Sequence, residues 1–571
     1  MHNMKELTPT KIKLIDDIDH RVEDKILEPS NAKLLIKLIT NADNDAEATA
    51  ISALGTTYHR TGLVFSPRLD KPSDLIKYFV KNEKLSFHTD DTKPVHKLII
   101  GENFDALSNL LIQYRNMVDV IYIDPPYGKD DMGEYAQTTY DNAISRDNLL
   151  SMLQCRLELA KQLLNDNGVI FCSIDDKNQA YLKCLFDLVF GENSYVTTLT
   201  IETASIAGPR RVPAMQGSVV KTAEYCLVYT KSDDKKIMKN LKYDYIPGFD
   251  THYKDWVDEV NHKIISFTEF IKADLRISTI FSDYKLNVSL ENLGVLSMIN
   301  SEIRNWLYNE NIAKYLYRKG EKEDEIPESE NQSLYHLFQI GNKWYVKTDE
   351  GLFNVYRYID RIGQCDDYFN SYGERTVRGN LWKGFSSDGG NLNKEGCVSF
   401  KNGKKPLRLI KQLIDCVSDS KNAIVLDFFA GSGTTGNAVL ELNKDGGNRT
   451  FLLCQINERT EEYPNGIPYD VTTKRLKRIM TGECYNGDKN FSWLKQNKPY
   501  GGNLDVYEIK SVSNKKAVEG ETAFDVIDET LYGKEKFSSF EEKIKWVCEN
   551  FANTQNGKEN DEEWENRRRE I

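Results

Sequence analysis

Two short segments hold residue types that could act together on a substrate. The first is Asp124-Pro125-Pro126-Tyr127, which ends the apolar run Val118-Asp119-Val120-Ile121-Tyr122-Ile123. An ionised carboxylate only accepts hydrogen bonds, and the Pro125 carbonyl is left to accept because Pro126 has no N–H. Asp124 and the Pro125 carbonyl can therefore take both hydrogens of an exocyclic amine. Such an amine is a poor nucleophile, because its lone pair is delocalised into its ring. Two acceptors draw it toward tetrahedral geometry and place the lone pair on an incoming methyl group. Tyr127 supplies a flat face for the ring. Stacking of that kind contributes about 1–3 kcal/mol per base and helps offset the few kcal/mol of taking a base out of a duplex. The tetrapeptide alone also fits a plainer reading, a strand followed by a Pro-Pro turn with Asp124 as a helix cap.

The second segment is Asp427-Phe428-Phe429-Ala430-Gly431-Ser432-Gly433-Thr434-Thr435, after the apolar Ala423-Ile424-Val425-Leu426. Its glycines allow close backbone approach to a ligand at a strand-to-helix turn, and Asp427 is placed to accept from a cationic amino group. No Gly-Lys-[Ser/Thr] follows, so it is not a P-loop, and the third glycine is misplaced for a dinucleotide fingerprint. Taken alone, it is equally an ordinary turn.

Both segments need strands to hold them, and the surrounding pattern provides these. Lys97–Gly101, Val118–Ile123, Val169–Ile174, Ala423–Leu426 and Thr450–Ile456 read as short buried strands. Helical patterns separate them over 104–111, from Leu149 to Leu164, and over Pro406–Cys416. Strands alternating with helices indicate parallel βαβ units, hence an α/β domain whose ligands bind at the carboxyl ends of strands. The rhythm lapses over about 232–395, a stretch rich in Tyr, Asn, Lys and Asp that reads as an insertion. Its charged run Lys319–Ile326 is expected to be a solvated loop. The expected division is 1–93 as a helical accessory region, 94–232 as the first part of the sheet domain, 233–395 as the insertion, 396–500 as the second part, and 501–571 as a helical region and tail.

The 571 residues suggest three or four domains, and 40% hydrophobic residues suffice for a real core. A net charge of −12 requires any contact with nucleic acid to come from local basic patches. The candidates are Lys401, Lys404, Lys405, Arg408 and Lys411; Arg210 and Arg211; and Lys474, Arg475, Lys477 and Arg478. No apolar run is long enough to span a membrane, and the start does not read as a secretory leader. Ten cysteines stand singly without a CxxC pair, and eight histidines show no zinc spacing, so no metal is expected. The cysteines read as small buried thiols of a reducing compartment, most simply the cytoplasm.

The two segments in this order, with an insertion between them, resemble the β-class (permuted) amino-methyltransferases of DNA. The resemblance extends to Leu98–Leu107, Gly168–Asp176, Gly191-Glu192-Asn193, Lys405-Pro406, Ala438–Asn443 and Gly446–Arg449, which look like the modification (Mod) subunit of type III restriction–modification systems. It covers about 95–232 and 395–480; the middle matches in position only. It implies a Rossmann-like class I methyltransferase sheet, circularly permuted and interrupted by a target-recognition domain, with S-adenosylmethionine as cofactor. It further implies that Asp124, Pro125, Pro126 and Tyr127 hold the target base, while Asp427, Phe429, Gly431, Ser432, Gly433 and Thr434 line the methionine side of the cofactor. Glu458, or else Gln455, would contact the ribose; Glu102 and Asn103 would lie near the adenine; Lys405 and Pro406 would close the pocket. Asp rather than Ser at the first position favours adenine N6. The implied partners are double-stranded DNA, a second copy of the chain and a helicase–nuclease restriction subunit. The competing expectations are an orphan enzyme, a cytosine-N4 enzyme, a catalytically silent DNA-binding subunit, or the same chemistry on RNA or a protein amide.

Overall fold

The computed structural model describes residues 7–23, 27, 29–54, 75–127, 146–323, 333–390, 396–400, 404–513, 522–551 and 554. They form two compact units, one made of 1–200, 223–237 and 391–571, the other of 201–222 and 238–390. The second unit thus includes 201–222, a segment ahead of the insertion start read at 233.

The first unit is built on strands β1 (Leu75–Lys81), β2 (Val95–Ile100), β3 (Val118–Ile123), β4 (Leu164–Ile174), β5 (Tyr195–Glu202), β6 (Ala223–Thr230), β7 (Ile424–Asp427), β8 (Thr450–Gln455) and β9 (Asn503–Ser513). Their order across the sheet is β1-β9-β2-β8-β7-β3-β4-β6-β5. The run from β9 to β4 is parallel, and β6 lies antiparallel to β4. Parallel strands are covered on both faces, and these are accordingly near-continuous apolar runs: Val120, Ile121, Ile123, Val425, Leu426, Phe451, Leu452 and Leu453 are all fully buried.

Helices α4 (Asn103–Tyr114), α5 (Arg146–Leu163), α6 (Gln179–Phe190), α7 (Leu407–Val417), α8 (Thr434–Leu442) and α9 (Thr473–Thr481) follow the strands, after three N-terminal helices, α1 (Pro9–Glu23), α2 (Pro29–Asn41) and α3 (Asp45–Leu54). Leu149, Leu153, Leu157 and Ala160 recur at helical spacing on α5 and enter the same core as Leu107 and Leu110 of α4 and Leu185 and Phe186 of α6. The N-terminal helices close a small cluster of their own around Ile18, Ile39 and Ala48.

The regions expected to be helical at both ends do hold helices, α1–α3 and a C-terminal α10 (Phe540–Asn550), but each also contributes a strand. β1 pairs antiparallel with β9, and β9 continues the parallel sheet beside β2. The alternation Leu504, Val506 is a strand period within a charged stretch, too short to stand out. The Tyr532 hydroxyl fastens this edge: it accepts from the Phe79 N–H at 2.8 Å, donates to Asn109 Oδ1 at 2.7 Å, and its ring stacks on Phe79.

The second unit combines short helices between Phe267 and Ala313 with a six-stranded antiparallel sheet. Phe267, Ile277, Phe281, Leu293, Ile303, Trp306 and Tyr358 form its core. Lys319–Glu323, expected in a loop, belongs to the strand Leu316–Glu323; residues 324–326 lie outside the described residues. Charges are tolerated there because the strand is exposed, with Lys319 paired to Glu350 at 2.9 Å and lying over the Phe353 ring. All ten cysteines are free, but only five are buried, and Cys184 and Cys548 are exposed on helices. Among the described residues, no helix is long and apolar enough to cross a membrane.

Tyr532→Phe leaves the Asn109 oxygen and the Phe79 N–H without their buried partner. Urea denaturation should show a loss of about 1–3 kcal/mol; a loss below about 0.5 kcal/mol would mean that the hydroxyl does not fasten the edge.

Candidate active site

Four neighbouring parallel strands, β2, β8, β7 and β3, end on one edge of the sheet, and the expected site residues stand there. Asp124 follows β3, Asp427 closes β7, Gln455 closes β8, and Glu102 and Asn103 follow β2. The register Val425↔Val120 and Leu426↔Ile121 brings the two sequence segments side by side.

On the β3 side, Asp124 Oδ1 accepts from the Tyr127 hydroxyl at 2.9 Å and lies 3.2 Å from the Lys405 ammonium. Burial pushes the Asp124 carboxyl above its ordinary range; Lys405 opposes that, Glu224 adds to it, and the hydrogen bonds from Tyr127 and Lys405 oppose it again. Burial, together with Asp124 and Glu224, lifts Tyr127 well above an ordinary tyrosine, so it stays a phenol and donates. Lys405 was expected to close the cofactor pocket. Its ammonium donates to Tyr127 Oη at 2.8 Å and Glu224 Oε2 at 2.7 Å. Pro406 caps the start of α7.

On the β7 side, Asp427 is almost fully buried. Its Oδ1 accepts from the Phe429 N–H at 3.0 Å and its Oδ2 from the Thr435 hydroxyl at 2.5 Å. Burial pushes it up to about 7 despite those bonds. The glycine loop needs its glycines: Gly431 and Gly433 have φ of 49° and 79°, and a Cβ on Gly433 would lie 3.2 Å from the Thr472 methyl. The loop is held from outside. The Gly431 N–H donates to Gln455 Oε1 at 2.6 Å, the Thr472 hydroxyl to the Gly431 carbonyl at 2.6 Å, and Arg475 Nη1 to the Ser432 carbonyl at 2.6 Å. Ser432 and Thr434 are buried, their hydroxyls 3.2 Å apart, and the Phe429 ring lies tilted on Phe428.

Of the two ribose candidates, Gln455 is buried and its oxygen is committed to the loop, whereas Glu458 is partly exposed just past β8. At the end of β2, Glu102 caps α4 by accepting from the Phe104 N–H at 2.6 Å. Asn103 Nδ2 donates to the Phe428 carbonyl at 3.0 Å, tying β2 to β7. A glycine cradle flanked by the carboxylates of Asp427, Glu102 and Glu458 suits a ligand that carries a cationic amino group and a ribose. Among the described residues, no cluster of His, Cys, Asp or Glu is placed to hold a metal.

Three residues that order this edge were not singled out in the sequence. Arg156 on α5 donates to both Glu102 and Asn103. Its position three residues after Leu153, on an apolar helix face, was the one available signal. Glu224 on β6 gave none, and neither did Thr472. Within the basic clusters, Arg475 needs correction. Arg475 is fully buried and bonds the Ser432 and Val398 carbonyls. Lys474 pairs with Asp470, Lys477 lies over the Phe87 ring, and Arg478 donates to the Cys397 carbonyl. Lys404 is buried and Lys401 lies outside the described residues, while Arg210 and Arg211 are exposed in the second unit. The 474–478 run shows helical spacing of charge, which sequence cannot separate from a phosphate-binding face.

The profile of a family described as DNA methylase matches residues 118–465, more than half of the chain. A second profile, described as an uncharacterised conserved protein, matches 11–120. The StyLTI type III restriction-modification Mod subunit of Salmonella typhimurium is 30% identical over 64% of this chain and 53% of its own. The EcoPI Mod subunit of Escherichia phage P1 is 25% identical over 82% and 72%. The type II methyltransferase M.KpnI of Klebsiella pneumoniae is 28% identical over 67% and 87%. The chain thus spans about half the length of the Salmonella relative. Among solved structures, the M1.HpyAVI–SAM complex overlaps 66% of this chain and 98% of that one at 15% identity and a TM-score of 0.28.

Arg475→Ala should lower stability by about 3 kcal/mol or more, since it opens a cavity and strips two buried carbonyls of their donor. Lys474→Ala should cost less than about 0.5 kcal/mol. Thermal melts of both variants check this; an Arg475→Ala protein that melts normally yet loses DNA affinity would restore the phosphate-binding reading.

Proposed function

The chain belongs to the DNA methylase family, and from that premise we propose that it is an S-adenosylmethionine-dependent, sequence-specific DNA adenine-N6 methyltransferase, the modification subunit of a cytoplasmic type III restriction–modification system. Its partners in this reading are double-stranded DNA, a second copy of itself and a helicase–nuclease restriction subunit. The proposed domain roles are target-base and cofactor binding by the two parts of the sheet unit, and sequence reading by the insertion. The observation that carries the reading is the meeting of Asp124 and Tyr127 with Asp427 and the glycine loop at adjacent strand ends.

In this reading Asp124 and the Pro125 carbonyl accept the two hydrogens of adenine N6, and Pro126 and Tyr127 bound the slot for the flipped ring. Asp427 accepts from the amino group of the cofactor, Phe429, Gly431, Ser432, Gly433 and Thr434 shape the methionine side, Glu458 takes the ribose, and Glu102 and Asn103 border the adenine. When bound, S-adenosylmethionine supplies a methyl group on a cationic sulfur that departs as a neutral thioether. The alkylated nitrogen is acidic enough to lose its extra proton to a carboxylate or water, so Asp124 need not be a strong base. Catalysis is then mainly positioning of two substrates in line. Asp at the first motif position favours adenine over cytosine.

Incubation with unmethylated genomic DNA and S-adenosylmethionine, followed by nucleoside mass spectrometry, should give N6-methyladenine. N4-methylcytosine would overturn the base assignment, and no methylated base despite bound cofactor would overturn the proposal. Asp124→Ala should lower the methylation rate at least roughly 100-fold while leaving cofactor affinity within about two-fold.

Cofactor affinity should also depend on pH through Asp427. A cationic amino group favours the ionised carboxylate, so binding below the free value of about 7 must expel a proton. Affinity then weakens by up to roughly ten-fold per pH unit below pH 7, and falls again above about pH 8 as the ligand's own amino group loses its proton. Calorimetry in buffers of different ionisation heat should show proton release in acid, absent in Asp427→Asn; a pH-independent affinity in the unmutated protein would remove Asp427 from the cofactor site.

A further inference from the structure

The Lys405 ammonium meets the target-base motif directly. The side chain is mostly buried, and its three ammonium hydrogens face three acceptors: Glu224 Oε2 at 2.7 Å, the Tyr127 hydroxyl at 2.8 Å and Asp124 Oδ1 at 3.2 Å. The Tyr127 hydroxyl, which accepts from Lys405, donates its own hydrogen to the same Asp124 Oδ1. That oxygen is therefore filled by two donors of the protein. Among the described residues, no donor reaches the other oxygen, Oδ2. Among the described residues, the carboxylate is thus held at its Oδ1 end alone.

The anchor is Glu224, the second residue of β6, the strand two places from β3 in the sheet. Its contact with the ammonium is the shortest of the three. A lysine beside a cationic sulfonium would be repelled by it, at a cost that rises as water is excluded. Two carboxylates on the same ammonium remove that conflict. Resting on the methyltransferase reading above, we infer that Lys405 is a positioning residue for the target-base acceptor: braced by Glu224, it locks Oδ1 of Asp124 together with the Tyr127 hydroxyl, so that Oδ2 is the oxygen presented to the exocyclic amine.

The electrostatics of the edge agree. The groups that face Asp124 are Lys405 before α7, Tyr122 and Tyr127 at the end of β3, Cys172 on β4, Glu224 and Cys226 on β6, and Asp427 on β7. Burial lifts Tyr122, Cys172 and Cys226 far above their ordinary values, so they remain neutral. Lys405 is then the one cation in this set, held between Asp124 and Glu224; Glu224 disfavours charge on Asp124, and Asp124 in turn disfavours charge on Asp427. Burial works against the Lys405 charge, but Asp124 and Glu224 more than reverse that and keep it protonated.

The sign differs for the two neighbours, and this gives the test. Removing the cation in Lys405→Met should move the acid limb of the single-turnover methylation rate up by about one pH unit or more, with the rate lost at neutral pH partly recovered toward pH 9. Removing the anion in Glu224→Gln, whose amide oxygen can still hold the ammonium, should move the limb down. Lys405→Arg should restore most of the lost rate, and cofactor affinity should stay within about two-fold in all three. The same shifts should appear without catalysis in carbon-13 spectra of carboxyl-labelled aspartate, with the Asp124 signal identified by its loss in Asp124→Asn. An acid limb that stays put in both variants, or a weakened cofactor affinity in Lys405→Met, would overturn the inference. Asp124 titrations that move as expected in a chain that methylates no DNA would leave the positioning role standing and sink the methyltransferase reading instead.

Discussion

β3 and β7 are far apart in the chain yet lie side by side and parallel, with Val425 opposite Val120 and Leu426 opposite Ile121. Every feature of the candidate site depends on that pairing. It sets the end of β7, where the backbone turns into the glycine loop, beside the end of β3, where Asp124 and the prolines stop the strand. A slip of one residue would turn each buried side chain of β7 to the opposite face of the sheet. β7 has helices to satisfy on both sides and little freedom to slip. The entropic cost of closing so long a loop grows only slowly with its length, so a compact second unit can interrupt the sheet without undoing it.

Once the strand ends are together, the problem at the edge is charge. Asp124 and Asp427 sit in largely dry surroundings that disfavour their ionised forms. They are managed differently. Asp427 is given neutral donors, a backbone N–H and a threonine hydroxyl, which leave it poised to change protonation when a cation arrives. Asp124 is given a lysine, itself held by a second carboxylate, which favours a fixed charge and a fixed orientation. Arginines do the scaffolding behind them: Arg475 holds the loop through two carbonyls, and Arg156 orders Glu102 and Asn103. Buried arginine suits this task because one planar group can serve several acceptors.

Much of this was legible in the sequence. The apolar runs that became β2, β3, β7 and β8, and the two motifs that end β3 and β7, stand out because buried parallel strands and glycine turns have local signatures. The supports do not, since their meaning depends on partners remote in sequence. Glu224 is an ordinary charged residue until the sheet brings it to Lys405. Arg475 shares a basic stretch with Lys474 and Arg478, and only packing shows it to be interior. That the Gln455 oxygen accepts from the Gly431 N–H of the glycine loop is likewise nothing the strand-end pattern shows. The strands β1, β9 and Lys319–Glu323 escaped notice because short strands among charged residues carry too little periodicity.

The central claim is that two segments distant in sequence form one pocket, with an acceptor for a base amine facing a cradle for a methyl donor across the β3–β7 pair. A crystal structure with S-adenosylhomocysteine bound tests this most directly. The expected result has the ligand amino group on Asp427, its thioether against the glycine loop, and the sulfur side turned toward Asp124 Oδ2 and the Tyr127 ring. Ligand density elsewhere, or in the cradle with the sulfur turned away from Asp124, would contradict it.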